Sequence, residues 1–281
     1  MSIRLWLCTA SRRSPANARL GRVNPDLAFA MELADLADAI SLPKFRATDL
    51  HVETKADLTP VTEADRAVEE ALRRQIAKKR PGETVLGEEF GLDASGPTAG
   101  VRWIIDPIDG TKNYVRGIPV WATLIALERG GEIEAGVVSA PALGSRRWWA
   151  AAGEGAFADG RQIGVSKVAT IEDAQSCYGG LGAWRRAGML EGLLELIRRS
   201  WRSRGFGDFW MHMLVAEGAA DVATELEVRV WDLAAVKVIV EEAGGRLTDL
   251  TGRVTASGGS ALATNGLLHE EALGILTGQP A

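Results

Sequence analysis

A layered α/β fold, in the broader sense α+β, is what this sequence predicts, and three observations carry the prediction. Short apolar runs of strand character alternate with amphipathic stretches of helical period. The middle of the chain groups its strands into consecutive hairpins, whereas the C-terminal part alternates helices with strands. With 281 residues, 46% of them hydrophobic, the chain is long enough for a sizeable core in one two-part unit.

Residues 1–23 hold Ile3-Arg4-Leu5-Trp6-Leu7-Cys8, too short an apolar run for a signal-peptide core, then Ser11-Arg12-Arg13-Ser14-Pro15. They are expected to form a disordered extension. Residues 24–165 are expected to form an N-terminal α+β half that binds metal, and residues 166–281 a C-terminal α/β half. Asn24-Pro25 caps and starts a first helix, whose buried face is Leu33, Leu36, Ala37 and Ile40 and whose end is expected near Leu42-Pro43. Thr62 with Asp65 makes a capping box for a second helix, with Val68, Ala71, Leu72 and Ile76 inward. Lys78, Lys79 and Arg80 suit its C-terminal end, and Pro81-Gly82 stops it.

Thr84 to Gly87 reads as a short buried strand running into Glu88-Glu89, and Gly91 to Gly100 as a polar loop. Trp103-Ile104-Ile105 reads as the end of a buried strand, followed by Asp106-Pro107-Ile108-Asp109-Gly110-Thr111. Two strands from Trp121 to Ser139 turn at Arg129-Gly130-Gly131-Glu132, and a third spans Ser145 to Ala152. Beyond residue 170, strands are expected at 175–178, 203–206, 221–224, 246–249 and 261–263. Helices are expected at 189–201, 210–220, from Asp232, and at the C-terminus.

Composition narrows the function. A formal net charge of −5 argues against a nucleic-acid surface driven by bulk charge, and no apolar run is long enough to cross a membrane. Cys8 and Cys177 show no metal-ligand spacing and no disulfide framework, so a reducing cytoplasm is the simplest compartment.

Carboxylates are costly to bury unless paired or bound to metal, so Asp106 and Asp109 at a buried strand end suggest a cation. Gly110-Thr111 adds backbone N–H groups and a hydroxyl suited to phosphate. Together they point to a metal-dependent phosphate-ester site. Asp65, Glu88 and Asp232 are further acidic elements, and hard cations such as Mg²⁺ take oxygen ligands of this kind. Taken alone, Asp65 could simply complete its helix cap and Asp232 could answer a helix dipole. His51, His212 and His269 have no metal or triad spacing. Trp210 could stack on a substrate ring or simply join the core.

Gly87-Glu88-Glu89, Trp103 through Thr111, Trp231-Asp232-Leu233-Ala234-Ala235 and Glu241-x-Ala243-Gly244-Gly245 resemble the signatures of the inositol monophosphatase superfamily. The resemblance runs from about Pro25 to the C-terminus. Ser139 to Phe157 and Gly207-Asp208-Phe209-Trp210 to Glu225 look like the actinobacterial histidinol-phosphatase branch. The resemblance implies a layered αβαβα sugar-phosphatase fold and Mg²⁺, two or three ions per site. It implies metal ligation by Glu88, Asp106, Asp109, Asp232 and the Ile108 carbonyl. Glu88 and Thr111 would orient the attacking water, with Asp65 supporting Thr111, and the amides of Gly110 and Thr111, at a helix N-terminus, would hold phosphate. Lys55, Asp208 and Glu225 would contact substrate. Asp208 falls where the inositol enzymes have a small residue, and a carboxylate there suits a cationic alcohol such as histidinol.

The expected reaction is L-histidinol phosphate plus water to L-histidinol and phosphate, in histidine biosynthesis. The alternatives are inositol-1-phosphate or a broad set of small-alcohol phosphates and, from a different class, a catalytically silent metal-binding regulator. The expected partner is a small-molecule phosphate monoester, with no nucleic acid or membrane, and the expected assembly is a homodimer.

Overall fold

The computed structural model describes residues 24–48, 50–54, 60–93 and 100–278. The expectations for residues 1–23 and for Lys55 lie outside the described residues. Among the described residues the N-terminal part contains α1 (Pro25–Lys44), β1 (Val52–Thr54), β2 (Pro60–Thr62), α2 (Glu63–Lys79), β3 (Thr84–Gly87), β4 (Gly91–Leu92), β5 (Val101–Asp109) and α3 (Thr111–Arg116). A run of strands follows: β6 (Ala122–Arg129), β7 (Glu132–Ala140), β8 (Arg146–Ala151), β9 (Gly155–Ala158) and β10 (Arg161–Gln162). Then come β11 (Gln175–Tyr178), α4 (Leu181–Arg186), α5 (Leu190–Arg199), β12 (Arg202–Arg204), α6 (Asp208–Ala216) and β13 (Val222–Leu226). The chain closes with α7 (Val230–Glu242), β14 (Arg246–Thr248), β15 (Ser260–Thr264) and α8 (His269–Thr277).

Among the described residues, and apart from the two-stranded β1–β2 ribbon, two sheets and three helical layers alternate. The larger sheet has the order β10-β9-β8-β7-β6-β5-β3-β4, antiparallel except where β3 and β5 run parallel. The smaller has the order β12-β11-β13-β15-β14. On the outer face of the large sheet, Trp103, Ile105, Ile125 and Val137 pack against Leu33 and Leu72 of α1 and α2. On its inner face, Ile104, Leu124 and Val138 meet Val236 and Ile239 of α7 and Met213 of α6. Ala223 and Ala263 of the small sheet face the same layer, while Val222 and Leu262 face Leu193 and Leu276 of α5 and α8. Neighbouring strand residues thus feed different cores, as the two-residue side-chain period requires. Because both faces are covered, the central strands β6 and β7 carry runs of consecutive buried residues rather than alternating ones.

The N-cap at Asn24 and the capping box at Thr62 form as the sequence predicts. Asn24 Oδ1 accepts from the amides of Asp26 and Leu27, and Thr62 pairs reciprocally with Asp65. The first helix ends later than expected: Pro43 sits inside its last turn, where the Phe45 N–H still reaches Ser41 and Leu42 carbonyls. The sixth helix begins two residues earlier than expected, at Asp208, and so brings that residue into the helix start. The short α4 and the β1–β2 ribbon are not foreseen by periodicity, being too short to show any.

Candidate active site

The central carboxylates do not follow the strand; they are part of it. β5 continues through Asp106 to Asp109, past the end expected at Ile105. In a regular strand, residues three apart would point to opposite faces. Here Asp106 pairs with Leu124 and Asp109 with Ala122, so β5 holds one extra residue between them. That bulge brings both carboxylates to one cleft. Pro107 fits there because it has no N–H to lose, and its carbonyl accepts from Thr123 Oγ1 at 2.8 Å. The Ile108 amide donates to Asp106 Oδ1 at 2.9 Å, and the fully buried Ile108 side chain joins Tyr114 and Trp121 in a small cluster that anchors the loop.

Gly110, at φ 80°, turns the chain into α3. The Thr111 hydroxyl lies 3.0 Å from the Ile108 carbonyl and 3.4 Å from Asp65 Oδ1. Asp65 is wholly buried, and its other oxygen accepts from the Thr62 amide at 2.8 Å and the Thr62 hydroxyl at 2.5 Å. It therefore completes the helix cap and also reaches Thr111; the two readings are compatible. Beside these groups, the Glu88 amide donates to the Ile105 carbonyl at 3.2 Å, so the end of β3 lies next to the end of β5.

The other wall comes from the C-terminal part. Asp232, in the first turn of α7, accepts from the Arg229 amide at 2.7 Å. Asp208, at φ 49°, takes a left-handed conformation that costs a non-glycine residue about 1–3 kcal/mol. Two bonds tie that turn to the strand-end loop: the Phe209 amide donates to Asp109 Oδ2 at 2.7 Å, and Asn113 Nδ2 donates to Asp208 Oδ2 at 3.0 Å. Glu225, on β13, has room because residue 179 is glycine; a Cβ there would lie 2.3 Å from Glu225 Oε1.

These groups line a cleft of about 460 Å³. Among the described residues, seven carboxylates (Glu88, Asp106, Asp109, Asp208, Glu225, Glu227, Asp232) face it against two basic residues, Lys112 and Arg229. So dense a set of acids cannot all ionise without cations. Burial, then the charges of Glu88, Asp109 and Asp232, push Asp106 well above the ordinary carboxylate range. Burial, then Asp208 and Asp232, do the same to Asp109. Burial raises Asp65 to about 6, Asp232 to about 7 and Glu225 to about 8. Asp208 is also raised by burial, against the opposing charge of Lys112. One carboxylate oxygen from each of Asp106, Asp109 and Asp232 lies within 4.8 Å of the others. Crowded oxygen donors with raised proton affinity fit a hard divalent cation.

The structure brings together the described residues to which the family resemblance gives a role: Asp65 and Thr111 meet, and Glu88, Asp106, Ile108, Asp109, Gly110, Asp208, Glu225 and Asp232 line the cleft. Glu88 lines the same space but stands outside the tight group of three. Lys112, Asn113, Gly179, Glu227 and Arg229 were not singled out. Lys112 and Asn113 follow Thr111 directly and were open to notice; Glu227 and Gly179 carry no local signal. Trp210 does not line the cleft; it packs on Phe206 with ring centroids 4.6 Å apart. His212 is buried among apolar side chains, and burial lowers it to about 4, consistent with packing rather than catalysis.

Residues 23–279 match the inositol monophosphatase family, and the chain belongs to it. It is a metal-dependent phosphomonoesterase. Among its relatives, the histidinol-phosphatase of Streptomyces coelicolor is 52% identical over 260 residues, 89% of this chain and 96% of the relative. The histidinol-phosphatase of Mycobacterium tuberculosis is 54% identical over 253 residues, 88% of this chain and 96% of the relative. Among solved structures, an IMPase of Thermotoga maritima superposes with a TM-score of 0.81 at 31% identity, covering 90% of this chain and 97% of its own.

Proposed function

We propose that the chain hydrolyses L-histidinol phosphate to L-histidinol and inorganic phosphate. The observation that carries the substrate reading is the pair Asp208 and Glu225, two half-buried carboxylates that line the C-terminal wall of the cleft. A neutral polyol gives two such carboxylates nothing to neutralise them, whereas an alcohol bearing an amine and an imidazole can. The names of the two relatives above support the same choice.

In this reading Glu88, Asp106, Asp109, Asp232 and the Ile108 carbonyl hold Mg²⁺, two or three ions per site. When bound, Mg²⁺ offsets phosphate charge and lowers the pKa of water. The remaining work falls to the chain. The Thr111 hydroxyl has one proton, and the Ile108 carbonyl and Asp65 are its two acceptors. With that proton committed, the oxygen keeps lone pairs that accept a hydrogen bond from water, and Glu88 accepts the other. Asp65 is the acceptor left when the Ile108 carbonyl is engaged elsewhere. Amides of Gly110 and Thr111 hold the phosphate oxygens; α3 has only six residues, so its contribution is the unpaired first-turn N–H groups rather than a long dipole. Water oxygen bonds to phosphorus, the phosphorus–alcohol bond breaks opposite it, and one of the two water protons ends on the departing alcohol oxygen while the other stays with the phosphate. Lys55 keeps its proposed substrate contact.

The proposal includes a division at residues 165/166, histidine biosynthesis in the cytoplasm, and the homodimer that the family resemblance implies. The test is the rate with histidinol phosphate against inositol-1-phosphate at saturating Mg²⁺. Charge-assisted contacts to Asp208 and Glu225 predict a preference of roughly 10–100-fold in kcat/KM. Equal rates, or a preference for the inositol ester, would overturn the substrate reading.

A further inference from the structure

We propose that Glu69 is a positioning residue for Glu88, acting through the hairpin between β3 and β4. The inference rests on the reading of Glu88 as a metal- and water-handling group. Glu69 lies on α2 one turn after Asp65, has no exposed surface, and does not line the cleft. A buried carboxylate demands partners, and its partners are the backbone that follows Glu88. Glu69 Oε2 accepts from the Glu89 amide at 2.7 Å, and Oε1 from the Phe90 amide at 3.2 Å.

The same carboxylate holds Arg73, whose Nε and Nη2 lie 2.9 and 2.7 Å from Oε1. Arg73 in turn donates to the Gly91 carbonyl at 2.5 Å and to the Asp93 carboxylate. One Glu–Arg pair therefore brackets the hairpin from residue 89 to residue 93. On the other side, the Glu88 amide is bonded to the Ile105 carbonyl, one residue before Asp106. Glu88 is thus held between two fixed points, and its register against Asp106 depends on both.

Gly87 supplies an independent sign that the carboxylate must lie against this backbone. A Cβ at position 87 would fall 2.0 Å from Glu69 Oε1 and 2.2 Å from its Cδ. Any side chain there would push Glu69 off the two amides. The residue before Glu88 is therefore small so that the carboxylate can reach the residues after it.

The test compares Glu69→Gln, Glu69→Ala and Glu88→Gln with the parent protein. Glu69→Gln keeps the side-chain volume and one acceptor but sets an amide N–H₂ against one backbone N–H; Glu69→Ala removes both acceptors. Four quantities are measured: the Mg²⁺ concentration for half-maximal rate, kcat, KM at saturating Mg²⁺, and the thermal unfolding transition. Groups that orient metal ligands typically change metal affinity or activity by 10–100-fold, so the half-saturating Mg²⁺ concentration should rise by about that factor in Glu69→Ala and by less in Glu69→Gln. KM for the phosphate ester at saturating Mg²⁺ should stay at the parent value. Folded Glu69 variants with the parent's Mg²⁺ dependence would overturn the proposal. So would loss of the cooperative transition in both, which would make Glu69 a folding residue. If Glu88→Gln shows the parent's Mg²⁺ dependence, the reading of Glu88 fails and the proposal falls with it. If Glu88→Gln is shifted while the Glu69 variants are not, only the positioning role is rejected.

Discussion

The two ends of the cleft are built in different ways. Asp106, Asp109, Gly110 and Thr111 come from one bulged strand end and the turn after it. Their relative placement is decided within a few residues, by a proline, a buried isoleucine and a left-handed glycine. At the other end Asp208 and Glu225 come from the start of α6 and the end of β13, and they meet only because the second sheet docks as it does. Two hydrogen bonds join the ends, Phe209 N–H to Asp109 and Asn113 to Asp208. On the proposed roles of these residues, reaction and substrate choice are separable. In the function proposed above, the local end sets what is broken, and the docked end sets which alcohol leaves.

The largest effect should come from Asp109→Asn. An asparagine oxygen can still accept from the Phe209 amide, so the joint between the ends survives while the charge is lost. Loss of this much electrostatic stabilisation predicts a fall in kcat of at least ~10²–10³-fold with every phosphate monoester tested. A fall confined to one substrate would place Asp109 at the alcohol end and break the division.

Asp208→Ala is the reciprocal change. KM for histidinol phosphate should rise roughly 10–100-fold, the worth of a charge-assisted contact, with kcat little altered. KM for a neutral ester such as glycerol phosphate should not rise. An unchanged KM for histidinol phosphate would remove Asp208 from recognition.

The smallest effect is on stability in metal-free protein. Asp65, Asp232 and Glu225 hold protons more tightly when folded, at about 6, 7 and 8 against ordinary values of 3.8, 3.8 and 4.5. Between those limits the folded state carries more protons than the unfolded one, so their stabilisation is full below about pH 4 and is lost as pH rises towards 8. The Tm of chelator-treated protein should therefore fall by ~5 °C or more between about pH 5 and pH 8. Added Mg²⁺ should remove most of that fall by binding the ionised, folded form. A flat, Mg²⁺-independent profile would contradict a crowded carboxylate site.

How much was legible follows from how each part is built. The cap of α2, the apolar strand ends and the acidic turn after Ile105 are short-range patterns, so they could be read from neighbouring residues. The bulge was not legible: strand and turn residues look alike in a segment this short, and only pairing with β6 reveals the extra residue. Glu69 was half visible, as a carboxylate on the buried face of α2, but nothing nearby says that its partners are the amides of residues 89 and 90. Gly179 leaves no trace, because the side chain it makes room for belongs to a different strand.

By itself the sequence determined the layered α/β class, the acidic strand end with its phosphate-ready turn, and hence the kind of reaction. Such features depend on period, capping and residue type, which act over a few neighbouring positions. Tertiary structure alone decided that Asp232, Asp208 and Glu225 share one cleft with that strand end, and that Glu69 braces Glu88 from behind. Those arrangements join residues far apart in the chain, and only the packing of two sheets around a common helical layer brings them within reach.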